Sequence, residues 1–269
     1  FGAVDGTLEA AAWESGMDNA IRFDRSSMVS NGAGAWSLNQ ESVDLNAYLA
    51  YEYRLLKELA IIAGYEFVEP DRTASVADYF FDAEKGFFYD RKLKGGDFVK
   101  VEGCEAYIPF WTQIATPEQA KAVLPYFTDP LKFSPFPTVT ADHPQFSPNG
   151  YWRGPIWLDQ VYFGIRGLRN YGYAQLADDY TKRVFDRLNG LRGDAPIHEN
   201  YETNTGKRLK SPHFSWSAAH LLMLYREAGV LDAKSTDLCL FQSDYRNYAY
   251  IQEVEFENIH HKMSYSETG

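Results

Sequence analysis

The sequence of 269 residues predicts an all-α fold built from pairs of helices. Apolar residues recur at helical spacing in several segments, and glycines or capping sequences mark where those segments begin and end. The loops between the segments are alternately short and long. Alternation over a longer stretch, which is typical of strands, is found only beyond residue 235. We therefore expect one helical domain over residues 1–235 and a strand-containing tail over residues 236–269.

The first long helix is predicted over residues 41–63. Residues 1–40 are rich in Gly, Ser, Ala and Asn and lack a sustained period, which indicates an extended loop region. Apolar residues then recur at helical spacing, and Gly64 supplies a stop signal. The apolar positions of this helix are Leu45, Tyr48, Leu49, Leu55, Leu56, Leu59 and Ile62.

A second helix, over residues 116–127, has a strong start signal. Thr116 is typical of an N-cap, Pro117 of the first helical position, and Gln119 of the reciprocal partner in a capping box. The other predicted helices cover residues 73–81, 105–115, 156–171, 173–188 and 214–228, and residues 87–89 form a brief strand or packed turn. Residues 131–150 and 193–211 are too irregular for one element, and long loops in compact domains are usually functional.

The composition argues against several functions. The formal net charge of −11 disfavours nucleic acid and anionic membranes as partners, because both require clustered cations. No apolar run is long enough to span a membrane. Aromatic residues form 16% of the chain, which fits a large core or the flat rings of a sugar-binding cleft. Cys104 and Cys239 match no metal-binding spacing and are interpreted as buried thiols.

The candidate catalytic groups lie in three irregular loops at the ends of predicted helices. The first loop carries Glu14 and Asp18 beside Trp13, and the third carries Glu199. Hydrolysis of a glycosidic bond needs two carboxyl groups: one protonates the leaving oxygen, and the other activates water or attacks carbon. Burial against aromatic rings raises the pKa of a carboxyl group, as the first role requires. Trp13 beside Asp18 fits that requirement.

Four segments resemble, in order, the signatures of glycoside hydrolase family 63, which includes the processing α-glucosidases and several bacterial α-glycosidases. The likeness extends from residue 1 to about residue 229 and so includes most of the chain. A segment at residues 148–150, Pro-Asn-Gly followed by an aromatic residue, also looks like a trehalase element. The four segments are WESGMDN at 13–19, YWRGPIW at 151–157, HENY at 198–201 and FSWSAAH at 214–220.

This resemblance implies an (α/α)6 barrel, which is a toroid of six helical hairpins, and hydrolysis of an α-glucosidic bond with inversion. The general acid of the family falls on Asp18, and its general base falls on Glu199. The expected substrate is an oligosaccharide or a small α-glucoside, and the chemistry needs no cofactor. Inversion leaves room for a water molecule, so the two carboxyl groups are expected roughly 6.5–9.5 Å apart.

The same motifs supply the expected substrate-binding residues. Trp152 is interpreted as a stacking platform for a sugar ring, and Arg153 is expected to orient a catalytic carboxylate. Asp159 is expected either to contact substrate or to pair with Arg153. Two interpretations of Glu14 stay open: it is either a surface carboxylate or an acceptor for a sugar hydroxyl. The full set is Trp13, Glu14, Tyr151, Trp152, Arg153, Gly154, Asp159, Tyr201 and Trp216.

Glu41 is a candidate metal ligand. It resembles a position that helps to bind a structural Ca²⁺ in some bacterial relatives, although a glutamate at a helix start is slightly favoured as the explanation. The resemblance also implies about twelve helices, of which periodicity predicts roughly half. The chain is therefore expected to be the C-terminal part of a barrel, with an N-terminal part of the same polypeptide as partner. A periplasmic or secreted location is favoured from function alone.

Other functions stay open on the sequence alone. A trehalase-like or α-mannosidase-like hydrolase would use the same scaffold and the same two carboxylates. A sugar epimerase would require histidine pairs facing the barrel axis, for which His198 and His220 are the only candidates. A non-catalytic sugar-binding module would need neither Asp18 nor Glu199.

Overall fold

The computed structural model describes residues 1–32, 34–133, 135–192 and 195–225 in full, and the backbone of residues 226–235, 238–243, 253–256 and 259–262. The chain divides into two compact units, Phe1–Leu224 and Tyr225–Gly269. The predicted domain boundary after residue 235 stays a prediction. Among the described residues, no helix is long and apolar enough to cross a membrane.

Helices form the framework of the first unit, and their bounds lie close to the predicted ones. The helix Val43–Ala63 ends at Gly64, whose φ of 72° is left-handed as a stop signal requires. Thr116 and Gln119 form the predicted capping box at the start of Pro117–Thr128. The helices are α1 (Leu8–Trp13), α2 (Val43–Ala63), α3 (Thr73–Phe80), α4 (Tyr107–Trp111), α5 (Pro117–Thr128), α6 (Leu158–Asn170), α7 (Ala174–Arg187) and α8 (Ser215–Ala228).

Short antiparallel strands correct the expectation of an all-α fold. The presumed loop region 1–40 contains α1 and the sheet β1-β3-β2, and residues 193–211 contain the hairpin β9-β10. Their strands are too short for alternation to be recognised in the sequence. In the first unit the strands are β1 (Gly2–Ala3), β2 (Met28–Ser30), β3 (Trp36–Leu38), β4 (Gln40–Glu41), β5 (Phe81–Asp82), β6 (Phe87–Phe88), β7 (Asp90–Lys92), β8 (Phe98–Val99), β9 (His198–Tyr201) and β10 (Arg208–Pro212).

The second unit contains paired strands, as the alternation in the tail predicted. β11 (Gly229–Ser235) pairs with β12 (Leu238–Ser243), and β13 (Glu253–Phe256) pairs with β14 (Ile259–Lys262), both antiparallel. The strand β11 begins directly after α8, so strand structure starts a few residues before the predicted position 235.

The core of the first unit lies where α4 packs against α2 and α6. Gly167 of α6 allows α6 and α4 to approach closely, because a Cβ there would lie 2.6 Å from the Cβ of Phe110. Phe110 belongs to a cluster of buried rings in which neighbouring centroids are about 5 Å apart. This cluster accounts for part of the high aromatic content, and the other members are Tyr107, Phe127, Phe133 and Phe136.

The apolar stripe of α2 is only partly buried. Ala47 and Ala50 pack into the core, whereas Leu49, Leu59 and Ile62 are exposed, Ile62 to 81%. Helical spacing therefore identified the helix correctly, but it did not identify the face that is covered within the described residues.

A buried ion network joins α2 to the turn that follows residue 18. Arg22 lies in the 3₁₀ turn Ile21–Phe23 and is 1% exposed; its guanidinium contacts Asp44 of α2 at 2.7 Å and Asp90 of β7 at 3.3 Å. Asp90 also accepts hydrogen bonds from Gln40 Nε2 and from the backbone N–H of Val43. One guanidinium thus connects three segments that are distant in sequence.

We predict that Arg22→Met lowers the free energy of unfolding by about 3–5 kcal/mol, because it leaves two buried carboxylates without their cation. Equilibrium unfolding in urea, followed by circular dichroism, measures this change. Arg25→Met is the matched control: Arg25 is exposed on the same segment, and its loss should change stability by less than about 0.5 kcal/mol. Equal losses in the two variants would contradict the role assigned to the network.

Glu105, beside this network, predicts a pH-dependent stability. Burial raises its pKa to about 8, although the charge of Arg22 opposes the shift. The folded state therefore binds this proton more tightly than the unfolded chain, and the free energy of unfolding should fall as pH rises from about 5 to 8. Glu105→Gln should reduce that slope in urea unfolding across this range. Glu118→Gln, at an exposed position of α5, should leave the slope unchanged; an unaltered slope in Glu105→Gln would refute the assignment.

Candidate active site

The turn after α1 presents Asp18. Ser15 fixes this turn, since its hydroxyl donates to the carbonyl of Ala12 at 2.6 Å and accepts from the N–H of Met17 at 3.0 Å. Gly16 adopts φ of 76°, a left-handed conformation that glycine tolerates without strain. The sequence pattern Ser-Gly therefore has a local structural reason: it reverses the chain so that Asp18 follows immediately.

Asn19 joins this turn to the second loop. Its Nδ2 donates to the carbonyl of Gly150 at 3.0 Å, and its Oδ1 accepts from the N–H of Trp152 at 2.9 Å. Arg153 adds a third contact, from Nη1 to the Asn19 carbonyl at 3.2 Å. These bonds hold Asp18 beside residues 150–153, although more than 130 positions separate them in the sequence.

Asp18 is half-buried, and its pKa is raised above its ordinary value. Burial is the largest cause, a hydrogen bond from its own backbone opposes it, and the negative charge of Glu199 raises it further. The negative charge of Glu199 therefore acts on Asp18 across the site. Their separation stays a prediction.

Glu199 is held by donors on both oxygens. It lies in β9 and is 9% exposed. The hydroxyl of Tyr151 donates to Oε1 at 2.6 Å, and the backbone N–H of Ser211 in β10 faces Oε2 at 3.5 Å. The hydroxyl of Ser217 donates to the Glu199 carbonyl at 2.9 Å, which ties β9 to α8. The carboxylate is therefore oriented by the loop of Tyr151 and by β10, and the backbone of Glu199 is held by α8.

Tyr151 has an unusual backbone conformation. Its φ of 68° lies in the left-handed region, which a bulky residue rarely occupies and which is enriched at functional sites. The pKa of its hydroxyl is raised by burial and by its hydrogen bond to Glu199. Its carbonyl accepts from Trp157 Nε1 at 3.1 Å. The strained turn thus points the hydroxyl at the carboxylate.

Trp152 and Trp157 stack on each other with centroids 3.9 Å apart and planes at 14°. Trp157 is buried as expected, but Trp152, expected as an open platform, is only 2% exposed. The indole N–H of Trp152 has no hydrogen-bond partner among the described residues. Trp216 is 40% exposed, and its ring lies 6.3 Å from that of Trp152. Of Trp152 and Trp216, Trp216 has the more accessible ring.

Arg153 does not orient a catalytic carboxylate, contrary to expectation. Its guanidinium forms a bidentate pair with Asp24, with both N–O distances at 2.8 Å. It does not pair with Asp159 either, because that carboxylate instead accepts from Gln160 Nε2 at 2.9 Å. Gly154 stands where a Cβ would lie 2.4 Å from the carbonyl of Ser147, so only glycine fits this turn.

A pocket of about 170 Å³ lies between the turn, α2 and α6. Asp159 is buried beside it, and burial raises its pKa, while its bond to Gln160 and the charge of His220 oppose the shift. Gln160 Oε1 is buried without a hydrogen-bond partner among the described residues. No Lys or Arg belongs to the described lining. The lining includes Ser15, Gly16, Met17, Asp44, Tyr48, Trp152, Asp159, Gln160 and Trp216.

The remaining predicted residues differ in accessibility. Trp13 and Glu14, at the end of α1, are exposed. Tyr201 is fully buried; its hydroxyl accepts from the N–H of His198 at 3.2 Å, and its backbone pairs with Ile156. In this arrangement Tyr201 supports the strand that carries Glu199 and does not line the described pocket.

Glu41, the candidate calcium ligand, is half-buried in β4 and accepts a hydrogen bond from the hydroxyl of Tyr79. Among the described residues, no group of three or more His, Cys, Asp and Glu is arranged to hold a metal ion. The calcium site therefore stays a prediction for Glu41.

Sequence reasoning missed several residues of this site. Asp44, Tyr48 and Gln160 line the pocket from α2 and α6, and Asp24 holds Arg153. Each lies in a helix or short turn where a polar side chain is ordinary, so no local signal identified them. The buried polar positions on otherwise apolar helix faces were the one clue available.

Comparison with known proteins identifies a family and several relatives. A family model described as the mannosylglycerate hydrolase MGH1-like glycoside hydrolase domain matches residues 3–217. The mannosylglycerate hydrolase of Thermus thermophilus is 30% identical over 193 residues, which cover 68% of this chain and 45% of the relative. A glucosylglycerate hydrolase of Mycolicibacterium hassiacum is 25% identical over 81% of this chain and 50% of its own. The chain thus spans about half the length of these curated relatives.

Solved structures share the fold. A family 63 mannosylglycerate hydrolase from Thermus thermophilus in complex with Tris superposes with a TM-score of 0.58 and 24% identity, covering 69% of this chain and 45% of that one. Neutral trehalase from Saccharomyces cerevisiae gives a TM-score of 0.53 at 20% identity, covering 79% and 40%. The helical framework is therefore of the type found in these glycosidases, and a complete six-hairpin barrel stays a prediction. The chain belongs to the MGH1-like glycoside hydrolase domain family and is a member of glycoside hydrolase family 63.

Proposed function

We propose that the protein is an inverting glycoside hydrolase that cleaves an α-glycosidic bond, with Asp18 as general acid and Glu199 as general base. The observation that carries this proposal is the contact geometry: Asn19 bonds the turn of Asp18 to the loop at residues 150–152, and Tyr151 of that loop donates to Glu199 at 2.6 Å. Burial, and to a smaller extent the charge of Glu199, raise the pKa of Asp18. A raised pKa extends to higher pH the range over which a carboxyl group holds its proton, which favours the role of proton donor.

In the proposed reaction, Asp18 gives its proton to the glycosidic oxygen as the bond to the anomeric carbon breaks. Glu199 takes a proton from a water molecule, which attacks that carbon from the opposite face. Tyr151 orients Glu199 through its 2.6 Å hydrogen bond. Asn19 maintains the position of the acid by bonding the turn of Asp18 to the loop that carries Tyr151.

The pocket favours one sugar ring at a time. A protein cavity of about 150 Å³ holds one benzene ring, so the 170 Å³ pocket beside the turn suits a single pyranose rather than a disaccharide. Trp216 offers a partly exposed ring face, and Trp152 Nε1 and Gln160 Oε1 are polar atoms that sugar hydroxyls would satisfy.

Two substrate classes are candidates. The names of the relatives point to a mannosyl or glucosyl glycerate. A neutral α-glucoside is favoured by a different observation: the described lining of the pocket carries Asp44 and Asp159 and no Lys or Arg, so it offers no cation to the carboxylate of glycerate. A trehalase-like activity is included with the second class.

Three further expectations are also proposals. The exposed apolar side chains of α2 would pack against an N-terminal part of the same polypeptide, in keeping with the greater length of the curated relatives. Glu41 would contribute to a structural calcium site. A periplasmic or secreted location is proposed from the function alone.

We predict that the full-length protein releases a free sugar from one of these classes, and that Asp18→Asn and Glu199→Gln each lower kcat by about 10²–10⁴. Proton NMR of the first product should give the β-anomer from an α-linked substrate, because inversion changes the anomeric configuration. The substrates to compare are mannosylglycerate, glucosylglycerate, trehalose, the α-glucobioses and an α-mannoside.

The control for this series is Glu9→Gln, which alters an exposed carboxylate of α1 and should retain full activity. Formation of the α-anomer at the attacked anomeric carbon, or undiminished activity in both active-site variants, would exclude the mechanism. Absence of hydrolysis with retained sugar binding would favour the non-catalytic module, and interconversion of free sugars would favour an epimerase.

We predict that the pKa of Asp18 falls when Glu199 is replaced by Gln, because the substitution removes a negative charge that raises it. Carbon-13 NMR of the Asp18 carboxyl group, titrated in the parent and in Glu199→Gln, measures the shift without requiring turnover. Glu202→Gln, in the same hairpin, serves as the control and should leave this pKa unchanged. A pKa that is the same in the parent and in Glu199→Gln would mean that the two groups do not form a pair.

A further inference from the structure

A second pocket, here called the basic pocket, lies apart from the one beside Asp18. It is bounded by the 3₁₀ turn at residues 21–23, by β7 and β8, and by the loop at residues 143–145. Its volume of about 520 Å³ lies within the range of small-molecule sites, which is about 300–1,000 Å³. The charged and titratable residues of its lining are Arg22, Asp24, Arg25, Lys92, Lys100 and His143.

Most charges of this lining are neutralised by partners that the structure describes. Arg22 pairs with Asp44 and Asp90, Lys100 pairs with Asp82 at 3.0 Å, and Asp24 pairs with Arg153. Two cations, Arg25 and Lys92, form no ion pair with a described carboxylate. The single carboxylate of the lining is already occupied, so the pocket keeps an excess of positive charge in a protein whose net charge is −11.

Lys92 is partly buried, and the groups that accept its hydrogen bonds are neutral. Its ammonium donates to the carbonyl of Arg25 at 3.1 Å, to Ser26 Oγ at 3.3 Å and to Gln40 Oε1 at 3.2 Å. Burial lowers the pKa of Lys92, while the charge of Asp90 opposes this. These bonds fix the ammonium in place but leave its charge without a counter-ion, which an anion in the pocket would supply.

Arg25 can donate hydrogen bonds to a ligand. The donors of Lys92 are already bonded to protein groups. The side chain of Arg25 is exposed at the rim, and a guanidinium binds carboxylate and phosphate oxygens in pairs. His143 adds a titratable group: its Nδ1 accepts from the N–H of Gln145, which leaves Nε2 for a ligand. The remaining wall is apolar, formed by Phe98, Val99, Val101 and Pro144.

We propose that the basic pocket binds a small organic oxyanion, with Arg25 contacting a carboxylate or phosphate group, Lys92 supplying uncompensated charge, and the apolar wall covering the body of the ligand. This site is separate from the Asp18 and Glu199 pair and does not depend on the proposed function. The shared chemistry is the oxyanion, and the two sources to distinguish are a phosphate and a carboxylate.

The test is isothermal titration calorimetry of the full-length protein with inorganic phosphate and, separately, with D-glycerate. At least one probe should bind, and Arg25→Gln should weaken that binding about tenfold, since hydrogen bonds to charged groups are the strong ones. Arg25→Lys keeps the charge but loses the paired donors, so its affinity should lie between those of the parent and Arg25→Gln. Arg72→Gln, an exposed arginine outside this pocket, is the matched control and should bind as the parent does.

NMR of His143 gives a second readout that a general loss of stability would not produce. Saturation with the bound probe should raise the pKa of His143, which burial and the charge of Arg153 lower in the free protein. Phosphate binding alone that Arg25→Gln weakens identifies a phosphate site, and D-glycerate binding that Arg25→Gln weakens identifies a carboxylate-accepting one. Failure of both probes to bind, or equal affinity in the parent and Arg25→Gln, would overturn the proposal.

Discussion

The ion network around Arg22 is the interaction on which the rest of the structure depends. It lies only a few residues after the proposed acid, and it joins the segment that follows Asp18 both to α2 and to the small sheet of β4, β7 and β8. A guanidinium that bonds two carboxylates has few alternative positions. Because a buried charge without its partner is costly, the turn is held in place by more than its local hydrogen bonds.

Two sets of polar contacts therefore position the turn of the candidate site. Arg22 connects the turn to the helical framework, and Asn19 connects it to the loop that carries Tyr151. Glu199 is oriented independently, by a hairpin and by Tyr151. The acid and the base are thus fixed by different elements. Tyr151 links them, because its hydroxyl bonds Glu199 and its neighbours Gly150 and Trp152 bond Asn19.

The sequence predicted the helices well and the small sheets poorly. Thr116 and Gly64 have side-chain or backbone chemistry that acts within a few residues, so their roles were readable. Strands of two residues, such as β1 and β4, are stabilised by partners far along the chain, and no short window contains that information. The exposed stripe of α2 was unreadable for the same reason, since periodicity locates an apolar face but not what covers it.

The same distinction applies to the site. Asp18 and Glu199 were identified through motifs, and the influence of one on the other in the structure fits that identification. Arg153 was assigned the wrong partner, because charge type alone cannot choose between Asp24 and the other carboxylates nearby. Asp44 and Gln160 were missed because the one clue, a polar residue on an otherwise apolar helix face, does not show that the residue lines a pocket.

Asn19 has one further consequence. Its amide recognises the backbone of the opposite loop, the carbonyl of Gly150 and the N–H of Trp152, and no side chain there. Every residue but proline offers these groups, so this contact specifies the path of the loop and is indifferent to most of its composition. Natural variation can therefore replace neighbouring residues of that loop and change which substrates enter the site, while the position of Asp18 stays the same.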